Sequence, residues 1–417
     1  MVRFRDVLKN RNFLLLWIGQ IISNFGDWLN NMALVALVYK KSPGSTVELA
    51  KLLFFIIIPV FIIGPIAGVY VDRWDKKKVM IMADIWRGLL VLLIPFFILR
   101  FTNFLPVYIL VFIIFSITRF FLPSKMAIIP DVVPHNTLLV ANTLSDTTRM
   151  VSAFVALGIA GIIVDKIGAI NSLYINAASY FISAVFIYNM TVKHAGTGFK
   201  GDMLRTKEAL RHAIKKSVWT EIKEGVRFIS NHKDMKFVVR TFFLLMAGLG
   251  AVSCVIIVFV QEAFGSATKD LSLLTMILGF GCFISAVLYG RFGQGIKKEV
   301  MILFSLCLTG LFIVAFALTT YFASYFLLSA AVMFLIGISV GPIIVSLNTM
   351  VHESIPQATR GRTFSSLEAI IHLAFLIFMV IAALFADKIG KLWVLTLCGV
   401  FFSVWGVAGL IKNMREA

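Results

Sequence analysis

Twelve long apolar runs constrain the fold of this 417-residue chain more than any other feature of its sequence. Each run has about the 20 residues that an α-helix needs to cross the hydrocarbon core of a bilayer. They lie at about residues 13–38, 48–71, 79–99, 104–122, 138–164 and 170–190, and then at about 237–261, 270–290, 299–319, 324–347, 362–386 and 391–412. Because a helix satisfies its backbone hydrogen bonds within one segment, the runs predict an all-α membrane protein with twelve transmembrane helices, numbered here as spans 1 to 12.

The composition agrees with lipid as the solvent for most of the chain. Hydrophobic residues make up 59% of the sequence and charged residues only 14%, more apolar surface than a soluble chain of this length could bury. The net charge of +18 comes mostly from Lys and Arg in alternate loops, which the positive-inside rule places in the cytoplasm. We therefore expect a multi-pass inner (plasma) membrane protein with both termini cytoplasmic, in contact with membrane lipid and without a nucleic-acid partner.

The two halves of the chain repeat at one constant offset. Pro134 matches Pro356, and the tetrapeptide Asp-Lys-Ile-Gly at 165–168 recurs at 387–390. We predict an N-terminal six-helix half (1–192), a cytoplasmic linker (193–236) and a C-terminal six-helix half (237–417). Apolar residues at 218, 222, 226 and 229 predict an amphipathic helix in the linker. Parallel repeats of this kind are typical of secondary transporters.

A charged turn between spans 2 and 3 carries a likeness to a known family. The turn contains Gly68, Asp72, Arg73, Lys76 and Lys77. Their spacing resembles a loop motif of the major facilitator superfamily, with an acidic residue at 75 where that family usually has Gly. The twelve spans, the repeat and the central loop resemble the same superfamily, and this resemblance implies two pseudo-symmetric halves that rock about a central cavity.

Shorter segments resemble the branch of macrolide and siderophore exporters. They are residues 12–17 and 24–27 in span 1, residues 123–131 and 141–142 as the loop between spans 4 and 5, and residues 224–228. Lys125 after Pro-Ser also resembles the bacterial lysophospholipid transporter. Span 5 lacks the Gly-Pro pattern that many drug/proton antiporters carry.

Span 1 holds a stripe of polar residues. Gln20, Asn24, Asp27 and Asn31 lie on one face of a helix, and that face points to the protein interior because lipid cannot satisfy its hydrogen bonds. The resemblance places spans 1, 4, 7 and 10 around the cavity, so we expect the stripe and Arg119 of span 4 to bind substrate or a proton. A packing role for Asp27, held by neighbouring polar groups, is the alternative.

A second set of charged residues is predicted to form a cytoplasmic gate. The resemblance implies that spans 2, 5, 8 and 11 form the seam between the halves. The predicted gate residues are Gly68, Asp72, Arg73, Lys76 and Lys77 of the turn, Asp146 and Arg149 of span 5, and Glu368 and His372 of span 11. Asp84 and Arg87 of span 3 are expected to form a structural ion pair at the periphery.

The sequence shows no arrangement typical of an enzyme. It has no catalytic triad order, no metal-ligand spacing and no nucleotide-binding loop, so we expect no cofactor. The predicted function is a monomeric secondary transporter that exports hydrophobic or amphipathic small molecules, drug- or siderophore-like, by proton antiport with alternating access. The alternatives are a lysophospholipid transporter or flippase and a transport-inactive sensor or scaffold.

Overall fold

Helices fill nearly all of the protein that the computed structural model describes, which is residues 4–71, 74–101, 103–192, 233–293, 295–354 and 360–416. The first half contains α1 (Phe4–Leu8), α2 (Arg11–Lys41), α3 (Thr46–Ile62), α4 (Gly64–Val71), α5 (Lys76–Arg100), α6 (Leu105–Val132), α7 (Leu138–Ile167) and α8 (Ala169–Tyr188). The second half contains α9 (Lys233–Phe264), α10 (Lys269–Phe292), α11 (Lys298–Ala323), α12 (Phe326–Ser354), α13 (Arg360–Ile389) and α14 (Lys391–Glu416).

The described helices confirm the predicted class of an all-α membrane protein. The ten helices α5 to α14 are each long and apolar enough to cross a membrane. The 31-residue helix α2 forms span 1, and α3 and α4 follow each other as span 2, with a break at Ile63. The described residues therefore contain a helical segment for each of the twelve predicted spans, six in the first half and six in the second.

One boundary prediction was wrong. Residues 123–131 were expected to form a loop, but α6 continues through them to Val132 although it contains Pro123 and Pro130. A proline inside a transmembrane helix is tolerated where side chains satisfy freed backbone groups. Pro123 lacks the N–H that would bond the Arg119 carbonyl, four positions earlier. In the same turn the Ser124 hydroxyl donates to the Phe120 carbonyl at 2.8 Å, and Ser124 itself is fully buried.

The helices are divided between two compact units. Unit 1 comprises residues 1–37 and 52–217, and unit 2 comprises residues 38–51 and 218–417. Segment 38–51, which holds the end of α2 and the start of α3, thus belongs by its contacts to unit 2. Of the predicted linker at 193–236, residues 193–232, which include the predicted amphipathic helix, lie outside the described residues, and residues 233–236 form the start of α9.

In unit 1, α5 lies between α6 and α8 and packs against both. A buried apolar cluster joins these helices to α2 through Phe13, Met80, Phe121 and Ile187. The core of unit 1 therefore surrounds the inner face of α5.

In unit 2, α12 packs against both α10 and α11, and α11 also packs against α14. The remaining extensive contact joins α9 to α13. The α11–α14 pair approaches closely at Gly310 and Gly399, where a Cβ on either residue would meet the backbone of the other helix. Small residues at such positions let transmembrane helices gain van der Waals contact along their whole length.

The sequence repeat reappears as a matching backbone feature. Gly168 joins α7 to α8 with φ +86°, and Gly390 joins α13 to α14 with φ +96°. Both connections consist of a single residue in a conformation that favours glycine. The repeated Asp-Lys-Ile-Gly tetrapeptide thus encodes the same abrupt turn in each half.

Candidate functional site

The polar stripe of α2 contains residues with different surroundings. Gln20 is buried and its amide group is satisfied by α7: its Nε2 donates to the Ser145 carbonyl at 3.0 Å, and its Oε1 accepts from the Ser145 hydroxyl at 2.8 Å. Trp17 of α2 also donates a hydrogen bond from its indole N–H to the Thr148 hydroxyl of α7 at 2.8 Å. These contacts give Gln20 a clear role in holding α2 against α7.

Asp27 lies further along α2 and contacts α8. The Tyr180 hydroxyl donates to Asp27 Oδ1 at 2.5 Å, and Tyr180 is only 2% exposed. A hydroxyl that donates to a carboxylate forms a charge-assisted hydrogen bond, which is stronger than a neutral one. Asp27 therefore has a fixed orientation inside unit 1.

Arg87 connects this pair to α5 and α6. Its guanidinium carbon lies 4.3 Å from the ring centroid of Tyr180 and 4.4 Å from that of Phe121, a geometry that favours a cation. It also forms an ion pair with Asp84, one turn earlier on α5. Asp84 and Arg87 side chains are 0% and 1% exposed, so this pair is buried in the core and not at the periphery as expected.

We call Asp27, Asp84, Arg87 and Tyr180 the charged cluster. It contains two carboxyl groups and one guanidinium, and that guanidinium is already paired with Asp84. Lys125 of α6 is also buried, and no described ion pair or hydrogen bond joins it to this cluster. Of the two carboxyl groups in the charged cluster, Asp27 is the one without an ion-pair partner among the described contacts.

Several polar atoms near Asp27 in sequence are buried without a hydrogen-bond partner among the described residues. They include Asn24 Nδ2 and Asn31 Oδ1 on the predicted stripe. Each such atom in a membrane protein costs free energy unless water or a ligand satisfies it. These two side chains remain candidate contacts for substrate.

Arg119 lies on α6, two residues from Phe121, and is half-buried. Its Nε is buried and has no hydrogen-bond partner in the described part of the chain. No described contact joins Arg119 to the charged cluster. An intramembrane guanidinium without a protein partner is suited to an anionic group of a ligand.

The predicted gate residues are only partly described. Asp72 and Arg73 lie outside the described residues, and Gly68 lies in α4. Lys76 bonds to the Asp131 carboxylate at 3.0 Å and to the Ala127 carbonyl at 3.1 Å, and Lys77 bonds to the Met190 carbonyl at 2.6 Å. The two lysines therefore anchor the turn to the ends of α6 and α8 within unit 1.

The other predicted gate residues lie on α7 and α13. Asp146 and Arg149 are both exposed and their closest charged atoms are 3.8 Å apart, so this ion pair is weak. Glu368 lies in α13, but its side chain is outside the described residues, and His372 is half-buried on the same helix. The gate role of all these residues stays a prediction.

A further contact, not predicted from the sequence, lies in unit 2. The Asp387 carboxylate, at the end of α13, accepts hydrogen bonds from the first residues of α3. Its donors are the Thr46 N–H at 2.8 Å, the Val47 N–H at 3.2 Å and the Ser45 hydroxyl at 3.3 Å. A negative charge at a helix N-terminus is stabilised by the free N–H groups and the helix dipole.

The side chain of Glu262 lies close to the same turn, at Gly44. Gly44 has φ +76°, and a Cβ at this position would lie 2.7 Å from Glu262 Oε1. Glu262 in turn accepts a hydrogen bond from Lys391 at 2.7 Å. Glu262, at the end of α9, therefore packs closely against Gly44, while Asp387, at the end of α13, forms the hydrogen bonds to this segment.

Sequence reasoning missed Tyr180, Phe121 and Asp387. Aromatic residues are common in transmembrane runs, so nothing in the sequence marks these two rings as contacts of a buried charge. Asp387 was visible as part of the repeated tetrapeptide, and an acidic residue shared by the two repeats was the one available signal for it.

Comparison with known proteins identifies relatives along the whole chain. The uncharacterized MFS-type transporter YfiS of Bacillus subtilis is 24% identical over 438 residues, covering 99% of this chain and 96% of the relative. Macrolide efflux protein A of Streptococcus pyogenes is 26% identical over 419 residues, covering 97% and 96%. The putative bacilysin exporter BacE of Bacillus subtilis is 27% identical over 406 residues, covering 95% and 94%.

Solved structures show the same fold at low sequence identity. A crystal structure of a mutant of peptide transporter POT aligns with a TM-score of 0.73 at 13% identity and covers 100% of this chain and 99% of its own. A bacterial homologue of the iron transporter ferroportin, in an inward-facing state, aligns with a TM-score of 0.70 at 13% identity, with 96% and 98% coverage.

The model of one family spans nearly the entire chain. It is described as transmembrane secretion effector (MFS_3), and it matches residues 6–416. The resemblance to the major facilitator superfamily is thereby confirmed, and so is the prediction that the chain is a membrane transporter and not an enzyme. The chain belongs to the transmembrane secretion effector family of major facilitator transporters.

Proposed function

We propose that this transporter exports hydrophobic or amphipathic small molecules in exchange for protons, with Asp27 as the proton-carrying residue. Relatives that are a macrolide efflux protein and a putative bacilysin exporter support export of organic small molecules. The observation that carries the proton assignment is the position of Asp27 in the charged cluster, with one phenolic hydrogen bond and no carboxylate-binding cation of its own among the described contacts.

The net charge of the charged cluster is the physical reason for assigning the proton to Asp27. A charged carboxylate within the bilayer is costly unless it is neutralised. Arg87 is shared with Asp84, so a proton on Asp27 restores neutrality to the charged cluster without moving a side chain over a large distance. A positively charged substrate group could neutralise the same carboxylate, and this competition for one site is a simple basis for exchange.

Two residues of the stripe and Arg119 of α6 supply the proposed substrate contacts. Asn24, Asn31 and Arg119 each hold a buried polar atom without a partner in the described ranges. A few such groups in apolar surroundings orient a ligand that binds mainly through its apolar surface. This arrangement favours an amphipathic substrate with a few polar groups over a sugar, which would need many hydrogen bonds.

Alternating access requires contacts that form in one state and break in the other. The hydrogen bonds of Asp387 to the start of α3 are suited to this role, because they connect a loop between α2 and α3 to the end of α13. With both termini in the cytoplasm, as the basic loops predict, this contact lies at the outer face. We infer that it closes the outer gate and must break for substrate release.

At the inner face, the anchored lysines support the predicted gate. Lys76 and Lys77 hold the start of α5 to the Asp131 carboxylate and to the Met190 carbonyl. We propose that this anchoring supports a gate role for Asp72 and Arg73, as the resemblance to the superfamily implies.

Transport assays in liposomes test the proposed function. We expect purified protein to accumulate a radiolabelled macrolide when a pH gradient is imposed, and a protonophore to abolish this accumulation. Labelled lysophosphatidylethanolamine is the comparison substrate. Movement of the lysolipid, indifferent to the gradient and without macrolide transport, would replace our proposal with a lysophospholipid transporter. Movement of neither compound in a folded sample would contradict it outright.

A further inference from the structure

Arg240 is a membrane-embedded cation that the transport proposal does not use. It lies three residues inside the apolar stretch 237–264 of α9, or about 5 Å along the helix. Its guanidinium carbon lies 4.2 Å from the ring centroid of Trp405 on α14. Within the described ranges the guanidinium has no carboxylate partner. A cation at this depth usually has a counter-ion or reaches the interface.

The guanidinium lines a cavity of about 460 Å³ in unit 2. The cavity lies between the start of α9, the start of α11 and the end of α14. Its apolar walls include Phe237 and Leu303, and its charged rim carries Lys412 and Glu299 beside Arg240. The three charged side chains are exposed, so the cavity opens to the surroundings of the protein at the ends of these helices.

We infer that this cavity is a binding site for one phospholipid, with the phosphodiester on Arg240 and an acyl chain along Phe237 and Leu303. The planar guanidinium can donate two parallel hydrogen bonds to phosphate oxygens. The contact with the Trp405 ring uses no hydrogen bond of the guanidinium, and none of the described hydrogen bonds comes from its N–H groups. A basic pocket between transmembrane helices near the membrane surface is suited to a lipid head group.

The position of Glu299 limits which lipid head groups the cavity can bind. Its carboxylate lines the same cavity but forms no ion pair with Arg240 among the described contacts. A carboxylate there disfavours a bare phosphate ion and favours a head group that offers its own donor, such as a hydroxyl or a primary amine. The site therefore selects phosphatidylglycerol over phosphatidylcholine, whose quaternary ammonium has no N–H or O–H.

Native mass spectrometry of the purified full-length chain with added lipid tests the inference. We expect one phosphatidylglycerol per chain, bound at least tenfold more weakly by Arg240→Met, because one charge-assisted interaction is lost. Arg240→Lys keeps the charge but loses the planar pair of donors, so its affinity for the lipid should lie between those of the unchanged chain and Arg240→Met. The matched control is Arg291→Met, since Arg291 also lies over a ring, that of Phe292 at 5.3 Å, in the same unit.

Three results would overturn the inference. One is an affinity of the folded Arg240→Met variant for phosphatidylglycerol that lies within twofold of the affinity of the unchanged chain. Another is displacement of phosphatidylglycerol by millimolar inorganic phosphate, which would indicate a free-anion site. The last is an unchanged preference for phosphatidylglycerol over phosphatidylcholine in Glu299→Gln, which would contradict the head-group assignment.

Discussion

Replacing Asp387 with Asn is predicted to weaken the contact at the start of α3 without disturbing the rest of unit 2. The carboxylate accepts three hydrogen bonds there, but those from Val47 and Ser45 are exposed and longer than 3 Å. Only the 2.8 Å bond from the Thr46 N–H is partly buried, and Asn retains an acceptor for it. We therefore assign the substitution a cost of about 1–2 kcal/mol, from the lost charge on one hydrogen bond and on the helix dipole.

This cost predicts a measurable change in opening. A free-energy change of about 1–2 kcal/mol alters a two-state population about 5- to 30-fold. Thr46 is 0% exposed, so a thiol at this position reacts only when the contact opens. Its Oγ1 has no hydrogen-bond partner among the described residues, so Thr46→Cys removes no known bond.

The assay is the alkylation rate of Thr46→Cys by a membrane-impermeant maleimide, in a background where the four native cysteines are replaced. Asp387→Asn should raise that rate about 5- to 30-fold. Asp165→Asn is the matched control, because Asp165 begins the same tetrapeptide and is exposed near the end of α7. A rate within twofold of the parent for Asp387→Asn would refute the reasoning, as would an equal increase in the control.

Two further predictions concern the packing of unit 1. Arg87→Met should lower the free energy of unfolding by about 3–5 kcal/mol, because it leaves the Asp84 carboxylate buried and unpaired. In thermal unfolding, the Asp84→Asn/Arg87→Met double variant should recover part of this lost stability. A double variant that is less stable than Arg87→Met would contradict the prediction. Gly26→Ala should cost about 1–3 kcal/mol, because a Cβ there would collide with Ser179. Gly64→Ala, where a Cβ meets nothing within 4 Å, should change the unfolding midpoint little, and equal losses in both glycine variants would argue against the α2–α8 contact.

Much of the fold follows from patterns that depend on local sequence. Apolar length predicts each transmembrane segment, and the repeated tetrapeptide predicts matching turns at Gly168 and Gly390. The extension of α6 through Pro123 was not predictable in this way. Proline normally ends a helix in water, whereas a transmembrane helix tolerates it because helix packing and local side-chain hydrogen bonds, such as that from Ser124 to Phe120, stabilise the turns around it.

The candidate site was predictable only in part. The period of α2 singles out Asp27 as an interior residue, and the spacing of Asp84 and Arg87 predicts their ion pair. Nothing in the sequence connects the two, because Tyr180 is 153 positions from Asp27 and is one aromatic among many. Long-range contacts of this kind are decided by how α2, α5 and α8 pack together, and no local pattern encodes that packing.

The central claim is that Asp27 carries the exchanged proton, and transport by Asp27→Asn in liposomes tests it most directly. Two modes are compared: accumulation of a labelled macrolide driven by a pH gradient, and exchange of labelled for unlabelled macrolide at equal pH on both sides. We predict that Asp27→Asn loses the driven accumulation and keeps the exchange, while the Asp165→Asn control keeps both. Gradient-driven accumulation by Asp27→Asn at the level of the unchanged protein would contradict the account.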